Sequence, residues 1–382
     1  MPRNLAATLL AAAALLAAAG GGGDDDASRS GELAAGGVPR SFWGLVSGTE
    51  LNDEELSRMG DANVGVLRHL VLWPEIEPTA DDQYDWSKLD ALVAGAAENG
   101  IEVLPFVYGT PAWAVGDCRG YDPLKCQRIP PLDSSDAKRA WQDFLRDLVA
   151  RYGPDGSFWS DDSDDYDPPE VPITRWQIWN EPSSVTYFRP EPSAERYAEL
   201  VRLSDEAITE ADPDAEIVLG GLFGEPRGAT AADGVAWEYL ASLYAVDGIE
   251  DHFDVVAMHP YAASLEEIEL QFDKILGVLD EVGDDDAKIW VTELGWGSAD
   301  PSPDAPLVKG VQGQKDLLLD SFELLREKRE AWRLEGVIWY QWKDLPEAFK
   351  GCVFCASSGL FDQEGEPKPS WDAFVEFTGG EA

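Results

Sequence analysis

A chain of 382 residues, 44% apolar and 10% aromatic, has the hydrophobic material for one large core or two small ones. Its 73 acidic residues against 29 basic ones give a net charge of −44. A surface that acidic repels phosphate backbones and anionic lipid, so nucleic acid is set aside as a partner and the excess reads as a solvated acidic shell.

The first residues read as an export signal. Arg3 supplies the positive end, residues 5–18 the apolar stretch, and Ala17-Ala18-Ala19 a small-residue cleavage site, so a signal peptide is expected over 1–19. The stretch is too short and too Ala-rich for a membrane span, and no stable membrane insertion is expected. A polar tether follows over 20–40, beginning GGGGDDDASRSGE and carrying no core-forming run. This layout resembles a bacterial lipoprotein leader, but no Cys stands at the junction to carry a lipid. Secretion of a soluble protein is the expectation.

Past the tether, apolar strand-like runs alternate with amphipathic helical ones. The strand candidates are 42–46, 64–72, 101–107, 174–179, 216–220, 255–259, 288–292 and 337–341. Between them, Trp141, Phe144, Leu145, Leu148, Val149 and Tyr152 repeat at helical spacing. Tyr197, Leu200, Val201, Ser204, Ala207 and Ile208 do the same. Turn chemistry closes two helices, at Glu98-Asn99-Gly100 and Ala211-Asp212-Pro213. Eight near-continuously apolar strands separated by helices predict an α/β fold, a closed (β/α)8 TIM barrel, in a single domain over 41–377 with a short tail over 378–382. A doubly wound open sheet is the competing architecture. It would usually need fewer strands and carry a glycine-rich phosphate turn, which is not found here.

Two loops hold the four cysteines: Cys118 and Cys126 in one, Cys352 and Cys355 as a C-x-x-C in the other. Two local disulfides are the first choice among three possible pairings. A Zn site is the alternative, but none of the three histidines is near these loops in sequence. The stretch around Cys352 lacks the βαβ context of a thioredoxin-like motif. The Asp- and Pro-rich loop 157–170 lacks the EF-hand spacing and reads as solvated rather than as a Ca²⁺ site.

In a parallel barrel the C-terminal ends of all strands open onto one face, where active sites form. Those ends carry Arg68 beside His69, then Tyr108, Pro111 and Trp113, then Asn180 and Glu181. They continue with His259 and Tyr261, Glu293 and Trp296, and Trp342. Glu181, in RWQIWNEP, and Glu293, in KIWVTELGW, follow apolar runs where a charge is badly placed for packing and well placed for chemistry. Two such carboxylates are what glycoside hydrolysis needs, one as acid and one as nucleophile or base. The acid requires a raised pKa and the nucleophile a depressed one. Arg68 and Tyr261 are candidate donors to an ionised Glu293, and Asn180 to a substrate hydroxyl. A metal-dependent hydrolase would need His and Asp clusters at strand ends, and three histidines are too few, so neither metal nor cofactor is expected. Most of the 15 tryptophans belong to the core and a few to a cleft.

These segments resemble the retaining glycoside hydrolases of clan A, whose (β/α)8 barrels carry an Asn-Glu pair after strand four and a second Glu after strand seven. LRHLVLWPEIEP and YDWSKLDALVAGAAENGIEVLPFVYGTPAWA resemble the second and third barrel units of families 5, 39 and 42. RWQIWNEP is similar to the acid/base motif, VVAMHPYA to the sixth strand and IWVTELGW to the nucleophile strand. GLFDQEGEPKPSWDAF resembles the end of such domains, so the likeness spans about 41–377. The resemblance implies Glu181 as acid/base, Glu293 as nucleophile, Asn180 as the 2-hydroxyl ligand and Arg68 as support for Glu293. It places His259 and Tyr261 in the cleft and Trp342 as the sugar platform. His69 departs from the family pattern, and its role stays open. The implied activity is β-glycoside hydrolysis on a poly- or oligosaccharide by a secreted monomer. The competing reading is an inactive carbohydrate-binding protein on the same scaffold. Endo or exo action depends on whether the loops leave a groove or close a pocket.

Overall fold

The computed structural model describes residues 37–80, 83–116, 118, 122–160, 168–224, 234–346, 352 and 354–381. The expected signal peptide, most of the tether and residues 161–167 of the Asp-rich loop lie outside the described residues. Residues 37–40, read from composition as tether, already pack on the barrel. Val38 is buried, and the Arg40 guanidinium donates to the carbonyls of Gly60, Val64 and Asn99.

The strands are β1 (Trp43–Val46), β2 (Val66–Leu72), β3 (Glu102–Tyr108), β4 (Arg175–Ile178), β5 (Glu216–Leu219), β6 (Val255–His259), β7 (Lys288–Leu294) and β8 (Leu334–Trp339). Neighbours in sequence pair in parallel, and β8 returns to β1 through Gly44↔Ile338, which closes the barrel. β5 meets β6 at Val218↔Val255 and again through Leu222–Phe223, two residues that pair with Met258 and His259. A helix follows each strand: α1 (Asp53–Asp61), α2 (Ser87–Glu98), α3 (Ser135–Tyr152), α4 (Ala194–Ala211), α5 (Ala236–Tyr244), α6 (Leu265–Val282), α7 (Gly310–Lys328) and α8 (Pro369–Thr378). This is the (β/α)8 barrel. The last strand starts three residues upstream of the expected 337, because Leu334 already pairs with Ile289 of β7.

Sequence periodicity became packing as expected. All six periodic residues of α3, and all six of α4, are buried against the barrel. Ser134, Ser193 and Ser264 open α3, α4 and α6 by accepting a backbone N–H, each worth about 1 kcal/mol. The four cysteines form the two local disulfides, Cys118–Cys126 and Cys352–Cys355. The tail folds back, with the Glu381 N–H donating to the Asp61 carbonyl at the end of α1. No helix among the described residues is long and apolar enough to cross a membrane.

The barrel interior sets up the site. Inward-facing Val46, Val66, Leu104, Val218, Val255, Ala257, Trp290 and Ile338 make an apolar floor. Two residues further along β2, β6 and β7 stand Arg68, His259 and Thr292, all fully buried. Strand alternation thus lays a polar layer directly on an apolar one.

Candidate active site

Arg68 organises the polar layer. Its Nη1 donates to Glu293 Oε1 at 2.6 Å, its Nη2 to Asn180 Oδ1 at 2.8 Å and its Nε to Gln177 Oε1 at 2.6 Å. Its guanidinium carbon lies 3.9 Å from the centre of the Phe106 ring. Each guanidinium nitrogen therefore donates to a partner, which is the condition for keeping a charge at 0% exposure. Tyr261 donates its hydroxyl to the second Glu293 oxygen at 2.9 Å.

Glu181 has a different partner. His259 Nδ1 lies 2.8 Å from Glu181 Oε1, and His259 Nε2 lies 3.0 Å from Thr292 Oγ1. A tautomer with the hydrogen on Nδ1 satisfies this network. Gln177 gives its oxygen to Arg68, so its NH2 group donates to the Leu219 carbonyl and to Thr292 Oγ1. Thr292 then directs its hydrogen to His259 Nε2, leaving Nδ1–H to donate to Glu181. Burial, helped by Arg68, holds the His259 pKa well below the usual range, so the ring is neutral. Gly221 is required beside it: a Cβ there would overlap the imidazole.

Two local departures from regular geometry let adjacent residues share the cavity. In a regular strand Thr292 and Glu293 would face opposite sides. The register of β7 against β8 shifts between Val291 and Leu294, and both residues turn toward the barrel mouth. At the end of β4, Trp179 (φ +69°) and Glu181 (φ +40°) take left-handed backbone conformations on either side of Asn180. Each costs about 1–3 kcal/mol, and together they bring both Asn180 and Glu181 into contact with the polar layer. The two carboxylates meet as a result: one oxygen from each, with a His259 nitrogen, lie within 4.8 Å of one another. That spacing could suit a metal ion, but the donor set does not. Arg68 already supplies the cation to Glu293, and in that tautomer the His259 nitrogen facing Glu181 carries a hydrogen.

Burial pushes the Glu293 carboxyl above its usual pKa range, against the pull of Arg68 and Tyr261. The expectation of a depressed value is thereby corrected: desolvation outweighs the guanidinium. Burial also raises the Tyr261 phenol far above its usual range, so it stays protonated and donates.

Six of the seven expected site residues come together: Arg68, Asn180, Glu181, His259, Tyr261 and Glu293. Trp342 does not join them. It is 1% exposed, packs on Phe361 and Trp371 at ring distances of 4.2 and 5.3 Å, and donates its indole N–H to Glu55 Oε1. A tryptophan held beneath α8 presents no face to a sugar. The aromatic at the mouth of β8 is Tyr340, half-buried, 6.3 Å from the Tyr261 ring and lining the cleft. Trp296 is likewise core, with its indole donating to the Ala262 carbonyl. His252 pairs with Asp205 on the outside of the barrel. Sequence reasoning missed Gln177, Thr292 and Tyr340. The first two carried a legible signal, as polar residues inside otherwise apolar strands.

A cavity of about 960 Å³ opens beside Glu293, Arg68 and Asn180 and runs over the ends of β8, β1 and β2.

No family model and no curated protein matches this sequence. Solved structures do. A family 39 glycoside hydrolase from the gut symbiont Bacteroides cellulosilyticus WH2 superposes with a TM-score of 0.62 at 19% identity, over 88% of this chain and 63% of its own. A monomeric beta-xylosidase from Caulobacter crescentus CB15 gives 0.61 at 18% identity, over 90% and 69%. Xylanase B from Clostridium stercorarium F9 gives 0.56 at 19%, over 88% and 97%. The chain thus spans less than two thirds of the first of these and nearly all of the last. At such identities the likeness is one of fold, and the fold is the (β/α)8 barrel that these glycoside hydrolases carry.

Proposed function

We propose that the chain is a retaining β-glycosidase acting on a neutral oligo- or polysaccharide. The carrying observation is the close approach of two carboxylates, within 4.8 Å at their nearest oxygens, only one of them ion-paired to Arg68. Nearest oxygens this close favour retention, which works with carboxyl groups about 5–5.5 Å apart, over inversion, which holds them about 6.5–9.5 Å apart to admit a water. Glu181, next to a neutral imidazole, protonates the glycosidic oxygen as that bond breaks. Glu293 attacks the anomeric carbon, with Arg68 and Tyr261 orienting its oxygens, and forms a glycosyl-enzyme. Glu181 then removes a proton from the water that displaces Glu293, restoring both carboxyls. Asn180 gives its oxygen to Arg68, which leaves its NH2 group as donor to a sugar hydroxyl. The structural neighbours support the substrate class: one is a beta-xylosidase, one a xylanase, and a family 5 protein was solved in complex with Manb1-4GlcNAc. Two disulfides support an oxidising compartment, in keeping with the export signal, and we propose a secreted monomer.

Proton NMR of the first product tests the reading. Hydrolysis of an aryl β-glycoside should release the β-anomer before mutarotation, and release of the α-anomer would overturn the retaining assignment. The pH profile gives a second test. Tyr261 stabilises the ionised form of Glu293, so Tyr261→Phe raises the Glu293 pKa further. The acid limb of kcat/KM is expected to move to higher pH by about one unit. A limb that stays in place or moves down would show that another group controls it.

A further inference from the structure

In double displacement the attacked sugar lies against the nucleophile, and the leaving group departs past the acid. The cavity therefore has a direction, given the reading of Glu293 as nucleophile on which this inference rests. Glu293, Arg68 and Asn180 line it, whereas Glu181, His259 and Tyr261 do not. Its roughly 960 Å³ thus lies on the side of the sugar that is attacked. That volume is at the upper end of what a drug-sized ligand occupies, about 300–1,000 Å³, and exceeds the needs of one sugar ring.

Away from Glu293, the lining passes through Tyr340 and across β1 to His69 and Leu70 on β2. His69 is the residue left without a role by the reaction. Its Nδ1 lies 2.9 Å from Ser47 Oγ, while Nε2 has no hydrogen-bond partner among the described residues. Burial pushes its pKa down to about 4, so the ring is neutral where a glycan would bind. A neutral imidazole with one nitrogen anchored and the other unpaired suits a sugar hydroxyl, which donates and accepts alike. Beside it Leu70 is 39% exposed, offering apolar surface to the C–H face of a ring.

We propose that His69, anchored by Ser47, binds a hydroxyl of a second sugar, one unit beyond the attacked one, so that the protein works on substrates with at least two sugars on that side. The cleft is then a groove for chain segments rather than a pocket for a terminal monosaccharide. His69 acts by contact with substrate and takes no part in proton transfer.

The experiment compares aryl β-glycosides carrying one sugar with those carrying the matching β-1,4 disaccharide, across glucose, xylose and mannose. The wild type should prefer the disaccharide. His69→Ala should cut kcat/KM on it by about 3- to 10-fold, the worth of one neutral hydrogen bond, mainly through KM. The same variant should leave the single-sugar substrate within about twofold, with only a modest drop in melting temperature from the lost bond to Ser47. Ser47→Ala, which frees the imidazole to rotate, should give a smaller loss on the disaccharide alone. Equal loss on both substrates, or no preference in the wild type, would overturn the second site while leaving the glycosidase reading intact. Absence of turnover of any substrate by the wild type would instead overturn the glycosidase reading, and the second site with it.

Discussion

Glu293→Gln is expected to leave a folded protein with essentially no turnover. The amide keeps the size of the side chain and still accepts from Arg68 or Tyr261, each of which now bonds Glu293 at 2.9 Å or less. It has no negative charge with which to attack an anomeric carbon. Removing the nucleophile from an enzyme that relies on a covalent intermediate costs on the order of 10⁴–10⁶ in kcat. Arg68 loses its carboxylate partner in this variant, while Asn180 and Gln177 still accept from it. The desolvation that raises the Glu293 pKa is relieved in the same substitution. The opposing effects on stability make a melting curve close to that of the wild type the expected control. Retention of more than about 1% of wild-type kcat would remove Glu293 from the chemistry.

Glu181→Ala separates the two steps of the reaction. Loss of a general acid costs about 10²–10⁴ where the leaving group needs a proton. The expected result is a loss of that size for natural glycans and alkyl glycosides. A dinitrophenyl leaving group departs without protonation, so the first step survives and the second, which needs Glu181 as base, becomes limiting. A burst of dinitrophenol followed by slow turnover should appear, and azide should speed the slow phase by taking the place of water. The variant also leaves His259 Nδ1–H without its 2.8 Å partner, so a modest drop in melting temperature is expected alongside. Equal losses across all leaving groups would mean that Glu181 positions substrate rather than transferring protons.

The barrel was legible because its determinants are local. Apolar runs of strand length and the helical spacing in α3 and α4 follow from burial alone, and they placed all eight strands. The site was legible to the extent that polar residues at strand ends have nothing to gain from packing. What escaped was geometry that depends on exceptions. The register shift in β7 allows Thr292 to face the site beside Glu293, and alternation by itself would have excluded one of them. The left-handed conformations of Trp179 and Glu181 have no residue-type signature, since neither position is a glycine. At β8 three aromatics fall within four residues, and which of Trp339, Tyr340 and Trp342 faces the cleft depends on how α8 packs. Trp371 and Phe361 claim Trp342, and Tyr340 is left at the mouth. The Glu293 pKa escaped as well, because it is a balance between a cation that the sequence offers and a desolvation that only burial reveals.

The central claim is that Glu293 forms a covalent bond to the sugar. Incubation with aryl 2-deoxy-2-fluoro-β-glycosides, followed by proteolysis and peptide mass spectrometry, tests it most directly. The 2-fluoro group slows hydrolysis of the glycosyl-enzyme and lets it accumulate. The predicted result is one fluoro-sugar adduct per chain, on the peptide containing Glu293, formed together with a stoichiometric release of the aryl group. An adduct on a different residue, or steady turnover of the parent glycoside by Glu293→Gln, would contradict the account.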